Sequence, residues 1–432
     1  MKKLSIKNDL KTINGWALFD WANSAYALTI MVAVFPPYYE AITSGQSFFG
    51  FSNTALYSLS ISLAYLVVSF QSPILSGIAD YGGRKLRFMK FFSTVGAICC
   101  MALFFFDSAD RIVLGIGASV LAAIGFASSL VFYNSFLPEI ATEDKMDSVS
   151  AKGFAYGYVG SVILLILNLL VIQKPAWFGL PTEGTLPVRL SFLMVGIWWL
   201  IFASVSFRRL PQDVPLANAQ NLVQKGIDRF KDIWKAVLAQ SNIKIFLIAF
   251  FLYSAGVQTV IMLASLYGSA ELKFGQSELI VIILLLQLVA IAGAYLFTMI
   301  SGKSGNKFSL TIILLIWMAV CVSAYMVTEK NHFYVIIVFI GLVMGGVQSL
   351  SRSTYAKLLP AQTDSTASYF SFYDILEKMS IVTGTLVFGF IDQLTGGMRN
   401  SILSLTVFFV VGLIFLQFVK MEKEELIEVA AE

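Results

Sequence analysis

The sequence predicts an all-α membrane protein of twelve transmembrane helices, arranged as two six-helix bundles with pseudo-two-fold symmetry. Three observations predict it. Hydrophobic residues make up 57% of the 432 and charged residues 13%, with 37 Phe and 14 Met, a composition suited to lipid-facing surface rather than to a soluble core. Twelve segments approach or exceed the roughly 20 apolar residues needed to cross the hydrocarbon. An offset of 222 residues lays the first half of the chain on the second without gaps over several spans. It pairs Gly83 with Gly305, Lys85 with Lys307, Cys99 with Cys321, Tyr133 with Tyr355 and Leu137-Pro138 with Leu359-Pro360. The matched loop and the matched Leu-Pro sit at corresponding helix ends, as two internally repeated halves require.

The spans fall at about 14–38, 54–78, 88–106, 112–137, 150–172, 190–207, 243–268, 277–300, 309–328, 333–359, 366–391 and 400–419. This divides the chain into an N-terminal bundle over 1–207, a linker over 208–242, a C-terminal bundle over 243–420 and a tail over 421–432. Loops and adjoining span ends on the side of the two termini hold 22 Lys and Arg, counting Lys90, Lys152, Arg352 and Lys357 at the span ends, against six in the loops on the other side. Both termini are therefore expected in the cytoplasm. Met1 to Lys11 leads into a long span carrying Asp20 and Asn23, so no removable signal peptide is expected.

The formal net charge of +4 is small and dispersed, which argues against nucleic acid and for basic cytoplasmic loops. Cys99, Cys100 and Cys321 lie inside apolar spans away from other ligand types, so neither disulfides nor a metal is expected. His332, the single histidine, falls in a short external loop, which leaves no residue for a Ser-His-Asp triad, a histidine metal centre or an intramembrane histidine relay. Gly302-Lys303-Ser304 has the ending of a phosphate-binding loop, but Phe297 stands where its first glycine is required. The sequence therefore reads as that of neither an enzyme nor an ATP-driven pump, and no cofactor is expected.

In the linker, Leu222, Val223, Ile227, Phe230, Ile233, Trp234, Val237 and Leu238 recur at helical spacing opposite Lys225, Arg229, Lys231 and Lys235. This predicts an amphipathic helix on the anionic cytoplasmic leaflet. A structural linker and a regulatory partner site are both compatible with it.

Between spans two and three runs a basic hairpin, Gly77-Ile78-Ala79-Asp80-Tyr81-Gly82-Gly83-Arg84-Lys85-Leu86-Arg87. Gly77 and Gly83 permit close approach and a tight turn, Arg84, Lys85 and Arg87 hold the loop in the cytoplasm, and Asp80 is left as a carboxylate at the membrane edge. The pattern resembles the loop between the second and third helices of major facilitator superfamily transporters. That resemblance implies that Asp80 meets the N-terminal end of span eleven near Ser365 to Ala367 and latches the halves on the cytoplasmic side; fixing topology is the alternative role. The counterpart, Gly302-Lys303-Ser304-Gly305-Asn306-Lys307, lacks the Asp and the Arg.

Ionisable residues inside a span are costly and face a polar pathway or a partner. In span one, Asp20, Asn23 and Ser24 share one face, flanked by Trp16, Phe19 and Trp21 in the manner of an interfacial belt. Asp20 is either a pathway residue or an interfacial ion-pair member. Span eleven carries Tyr369, Tyr373, Asp374, Glu377 and Lys378, the last three within an arc of about 100°. Asp374 and Lys378 at i, i+4 can neutralise each other, which makes Glu377 the first candidate for a coupling proton, with Asp374 and Asp20 behind it. Span four ends with Tyr133, Asn134, Leu137, Pro138 and Glu139, and span ten with Gln348, Ser349, Ser351, Arg352, Ser353 and Tyr355. Arg352 suits a substrate carboxylate, Asp20 or Glu377, and structural cross-linking equally. Gln71, Gln258 and Gln287 either line the cavity or bond neighbouring helices.

Four further segments carry a closer resemblance: Gly15 to Tyr26, with its Asp20-Trp21-Ala22-Asn23-Ser24 run; Phe132-Tyr133-Asn134-Ser135-Phe136-Leu137-Pro138-Glu139; Ser150-Ala151-Lys152-Gly153-Phe154-Ala155; and Gln348-Ser349-Leu350-Ser351-Arg352-Ser353 followed by Pro360. Together they resemble the vacuole-effluxer-like transporters, whose bacterial members form the unknown major facilitator family. The resemblance implies the major facilitator fold and, from the fungal members, release of neutral amino acids. The expected function is secondary active transport of a small organic solute, with amino-acid efflux as the leading class, by alternating access and with a coupling proton. A monomer in the bacterial cytoplasmic membrane is expected, its partners the solute and the lipid bilayer. The competing readings are a non-transporting receptor or sensor and a lipid-handling protein on the same fold.

Overall fold

A computed structural model describes residues 6–215, 221–360 and 363–421. Part of the linker and all but one residue of the predicted tail 421–432 lie outside the described residues. Asp9 starts the first helix by accepting from the Thr12 backbone N–H at 2.9 Å, an ordinary N-cap. Span one is then a composite: α1 (Leu10–Ala25), a π-helical stretch over Tyr26–Ala33, and α2 (Phe35–Thr43), which begins with two prolines in its first turn. Prolines fit there because first-turn N–H groups have no helical acceptor. It is longer than the sequence suggests at both ends, because the cap sits at Asp9 and Pro36-Pro37 start a helix rather than end one.

A two-residue antiparallel hairpin, β1 (Ser47–Phe48) with β2 (Phe51–Ser52), leads to α3 (Asn53–Gly82). There follow α4 (Lys85–Ala102), α5 (Ile112–Ser135), the short α6 (Leu137–Ile140), α7 (Glu143–Gln173), α8 (Leu186–Arg209) and the linker helix α9 (Leu222–Ala239). The second half supplies α10 (Ser241–Leu272), α11 (Gln276–Ser304), α12 (Asn306–Met326), α13 (Lys330–Leu358), α14 (Thr366–Thr395), α15 (Met398–Ser404) and α16 (Thr406–Gln417). Among the described residues eleven helical stretches are long and apolar enough to cross a membrane. The twelfth, α14, has 30 residues but carries Asp374, Glu377, Lys378 and Asp392, which pull its hydropathy down. Leu63, Leu66 and Phe70 on α3, like Val281, Leu288 and Met299 on α11, are exposed, as lipid-facing rows must be.

The chain forms two compact units, Met1–Ile140 with Tyr156–Arg229, and Ala141–Ala155 with Phe230–Glu432. The first has an aromatic centre. Trp16 stacks on Tyr133 at 4.4 Å between centroids, and Phe19 stacks on the same ring at 5.0 Å. Trp16 and Phe19 are fully buried, so these two rings are core and do not form the interfacial belt their spacing suggests. Linker residues Leu222, Lys225 and Gly226 rest on the basic hairpin: a Cβ at Gly226 would meet the Ile78 backbone at 2.8 Å, and the Lys225 ammonium lies 5.3 Å from the centre of the Tyr81 ring.

In the second unit Phe230 of α9 stacks on Phe372 at 5.2 Å and Trp234 meets the same ring at a tilt, at 5.3 Å, and Ile233 and Val237 are buried. Much of the apolar stripe of α9 thus covers protein, while Val223 and Leu238 are exposed. The helices α11 and α13 meet backbone to backbone, since a Cβ on Gly293 or Gly345 would run into the carbonyls of Leu342 or Ala290. Small residues make such a seam possible where lipid offers no hydrophobic drive for helix association.

Candidate functional site

The basic hairpin is built as the sequence pattern requires. α3 ends on Gly83 in the left-handed region, φ +62°, a conformation that costs glycine little. Asp80 has its side chain 1% exposed with the Lys85 ammonium 4.0 Å away, and Lys85 also pairs with Glu139 of α6. Asp213, which the sequence did not single out, accepts from the backbone N–H groups of Leu86 and Arg87, both at 2.8 Å, and so caps α4. Burial pushes its carboxyl above the usual carboxylate range, against the pull of those two donors.

In the first unit the polar face of α1 closes on α5. The Tyr133 hydroxyl donates to Asp20 at 2.6 Å, and the Trp16 indole donates to the Tyr133 carbonyl at 2.9 Å. Asp20 is 5% exposed and Asn23 1%, with no hydrogen-bond partner for the Asn23 amide nitrogen. Ser24 abuts Gly157 of α7, where a Cβ would press into it. Asp20, Tyr133 and the neighbourhood of Asn23 thus converge; Asn134, one residue beyond Tyr133, is half-buried. Gln71 donates to Ser128 at 2.8 Å, an interhelical bond.

In the second unit the three charges of α14 form one cluster. The Lys378 ammonium lies 3.1 Å from Asp374 and 2.9 Å from Glu377, and Gln258 of α10 donates to the other Glu377 oxygen at 3.3 Å. Asp374 and Lys378 are buried, whereas the Glu377 side chain is 27% exposed. Glu377 is therefore well paired, and the carboxylate oxygen with no hydrogen-bond partner is Oδ2 of Asp374. Helical spacing suggested the i, i+4 pair alone; it does not reveal that the lysine turns back to its neighbour as well. Tyr373 stacks on Phe250 at 4.1 Å and lies within electrostatic reach of Arg352, Asp374 and Glu377. Arg352 of α13 donates to the Ser150 carbonyl at 2.8 Å and to its hydroxyl at 3.0 Å, with Phe154 beneath the guanidinium at 4.1 Å. Gln348, one turn earlier on α13, is half-buried.

Buried charge on membrane-spanning helices marks a polar pathway or a partner, and the comparisons with known proteins say which family builds this arrangement. The model of the vacuole effluxer Atg22-like family matches residues 8–426. The chain belongs to that family. Among curated relatives, an uncharacterized MFS-type transporter of Bacillus subtilis, YxiO, is 32% identical over 417 residues, covering 96% of both chains. Autophagy-related protein 22 of Kluyveromyces lactis is 27% identical over 413 residues, covering 86% of this chain and 80% of its own. Among solved structures, the E. coli fucose:proton symporter FucP superposes with a TM-score of 0.70 at 14% identity, over 95% of this chain and 98% of its own. The proton:xylose symporter XylE gives 0.71 at 13%, over 95% of both. These likenesses show the major facilitator fold, and the family is one of integral multi-pass membrane transporters.

Proposed function

We propose that the protein is a secondary active transporter that moves a small organic solute of the amino-acid class out of the cytoplasm by alternating access, coupled to a proton taken up by the Asp374–Glu377–Lys378 cluster. The observation that carries this reading is the cluster itself. Two carboxylates face one ammonium in a largely buried setting, with one oxygen of Asp374 open. A net negative charge there is costly, and binding one proton removes it. Because the two acids share the lysine, the proton belongs to the cluster rather than to either residue alone. Glu377, the more exposed of the two, gives it a route to water.

The amino-acid class rests on the family and on the site's charges. The carboxylates of α14 suit an ammonium group, and Arg352 and its neighbour Tyr373 suit a carboxylate. Asp20, Asn23, Ser24, Tyr133 and Asn134 would line the pathway in the first unit, and Gln258, Gln348, Arg352 and Tyr373 in the second. The hairpin Gly77 to Lys85, with Asp80, would gate it. The basic loops support a cytoplasmic position for both termini, and the reading needs only a single chain.

Purified protein in liposomes tests this. An amino-acid panel should show flux that responds to an imposed pH gradient. Glu377→Gln should abolish the response to the gradient while leaving exchange of internal for external solute. Binding without flux would instead identify a receptor, and movement of lipid alone a lipid-handling protein. A wild type indifferent to the gradient would remove proton coupling.

A further inference from the structure

The second hairpin has lost its acid. The 222-residue offset sets Asp80 opposite Gly302 and Arg84 opposite Asn306, so the turn between α11 and α12 has no carboxylate of its own. The structure brings one to it from elsewhere. Asp147, in the second turn of α7, is 7% exposed. One of its oxygens accepts from the Asn306 amide at 2.8 Å, and the other from the Ser301 hydroxyl at 2.7 Å and the Lys357 ammonium at 2.8 Å. Asn306 completes the cluster by accepting from Lys357 at 3.0 Å and donating to Thr354 at 2.9 Å.

The same face of α7 continues the attachment. Ser150, three residues on, donates to the Ser349 carbonyl at 2.7 Å and takes the two bonds from Arg352, and Phe154, a further turn on, lies under the guanidinium. The spacing i, i+3, i+7 is that of one helical face. Residues 141–155 consequently belong to the second unit, although the same helix from Tyr156 onward belongs to the first. Ser349, Arg352 and Ser353, the polar end of α13, are buried with these bonds in place.

We propose that Asp147 supplies the carboxylate missing from the second hairpin, and that the Asp147–Asn306–Lys357 cluster is a releasable latch that keeps the start of α7 over the polar end of α13. The proposal rests on the alternating-access reading, in which that end must be uncovered once per cycle. Buried ions hold each other firmly while the partners are complete and lose that hold when one is removed. The latch is therefore strong yet sensitive to a single neutralisation.

The test is the reactivity of Ser349→Cys toward a membrane-impermeant maleimide, in a background where Cys99, Cys100 and Cys321 are replaced by alanine. Among the described residues the Ser349 side chain bonds only within its own helix, to the carbonyls of Gly345 and Gly346, so a thiol there leaves the latch intact. The parent should label slowly. Asp147→Asn and Lys357→Gln should each raise the rate at least tenfold, while Asp110→Asn, an exposed acid elsewhere, should leave it alone. Exchanging the two charges (Asp147→Lys with Lys357→Asp) should restore protection relative to Asp147→Lys alone. Should Asp147→Asn not fold, Asn306→Ala takes its place with the same expected direction. Unchanged rates in folded variants, or a charge exchange no better protected than the single variant, would overturn the latch. Labelling needs no solute, so a parent protein that carries no solute while the variants still label faster would count against the transport reading alone.

Discussion

Replacing Lys378 with methionine removes the ammonium that lies 3.1 Å from Asp374 and 2.9 Å from Glu377, while keeping the length of the side chain. Asp374, 2% exposed, is left with neither carboxylate oxygen charge-compensated, one of them being already without a donor. Breaking a buried pair from one side costs about 3–5 kcal/mol, which for a unit of about 200 residues lowers the midpoint of thermal unfolding by roughly 10 °C. Asp374→Asn should be far milder, about 1 kcal/mol, because Lys378 keeps Glu377 and the cluster becomes neutral. The double variant Asp374→Asn, Lys378→Met then leaves only the partly exposed Glu377, supported by Gln258. It should recover about 2 kcal/mol relative to the sum of the singles, the coupling expected of contacting charges. Thermal unfolding of the four proteins in one detergent, followed by tryptophan fluorescence, closes the cycle. Strict additivity, or Asp374→Asn as damaging as Lys378→Met, would refute the cluster's electrostatics.

Tyr133→Phe deletes the 2.6 Å bond to the buried Asp20 and should cost about 1.5–3 kcal/mol in the same assay, with Asp20→Asn rescuing part of it. Asp213→Ala, by uncapping α4 at Leu86 and Arg87, should destabilise by about 1 kcal/mol, whereas Asp213→Asn, which still offers one acceptor, should lie between the two. Gly83→Ala places a Cβ against the Val214 carbonyl at φ +62° and should cost at least about 1 kcal/mol, read as a lower unfolding midpoint. For Asp80→Asn, labelling of a cysteine on the cytoplasmic side should rise without loss of insertion; unchanged labelling would leave Asp80 a topology residue.

The architecture was largely legible because lipid enforces it: spans must be long, apolar and helical, and a repeat visible at an offset of 222 residues marks their grouping. Span eleven shows the limit of hydropathy, since Asp374, Glu377 and Lys378, the candidate site residues, are what lower its mean hydropathy. The π-helical stretch over Tyr26–Ala33 left no mark, because one extra residue per turn changes hydrogen bonding but not composition. Candidate residues were legible as types and their partners were not. The sequence marks Asp20 as a pathway or ion-pair residue but gives no sign that the phenol of Tyr133, more than a hundred positions away, donates to it. Asp147 went unmarked because a lone acid near a helix start looks like an ordinary first-turn carboxylate. The signal that would have found it is complementary: an acid on the face Asp147, Ser150, Phe154, opposite a hairpin conspicuously short of one.

The glycine seam between α11 and α13 has a mechanical consequence. Two helices whose backbones touch at Gly293 and Gly345 have no compliant side-chain layer to absorb a displacement, so they act as one stiff beam. With 29 residues in α13 the beam is about 43 Å long. A tilt begun at Lys357 reaches Phe333 at the far end as a proportionate swing in the opposite sense. Filling the seam, as Gly345→Ala would, shims the beam apart along its length, so a substitution far from any charge should alter events at both membrane faces together.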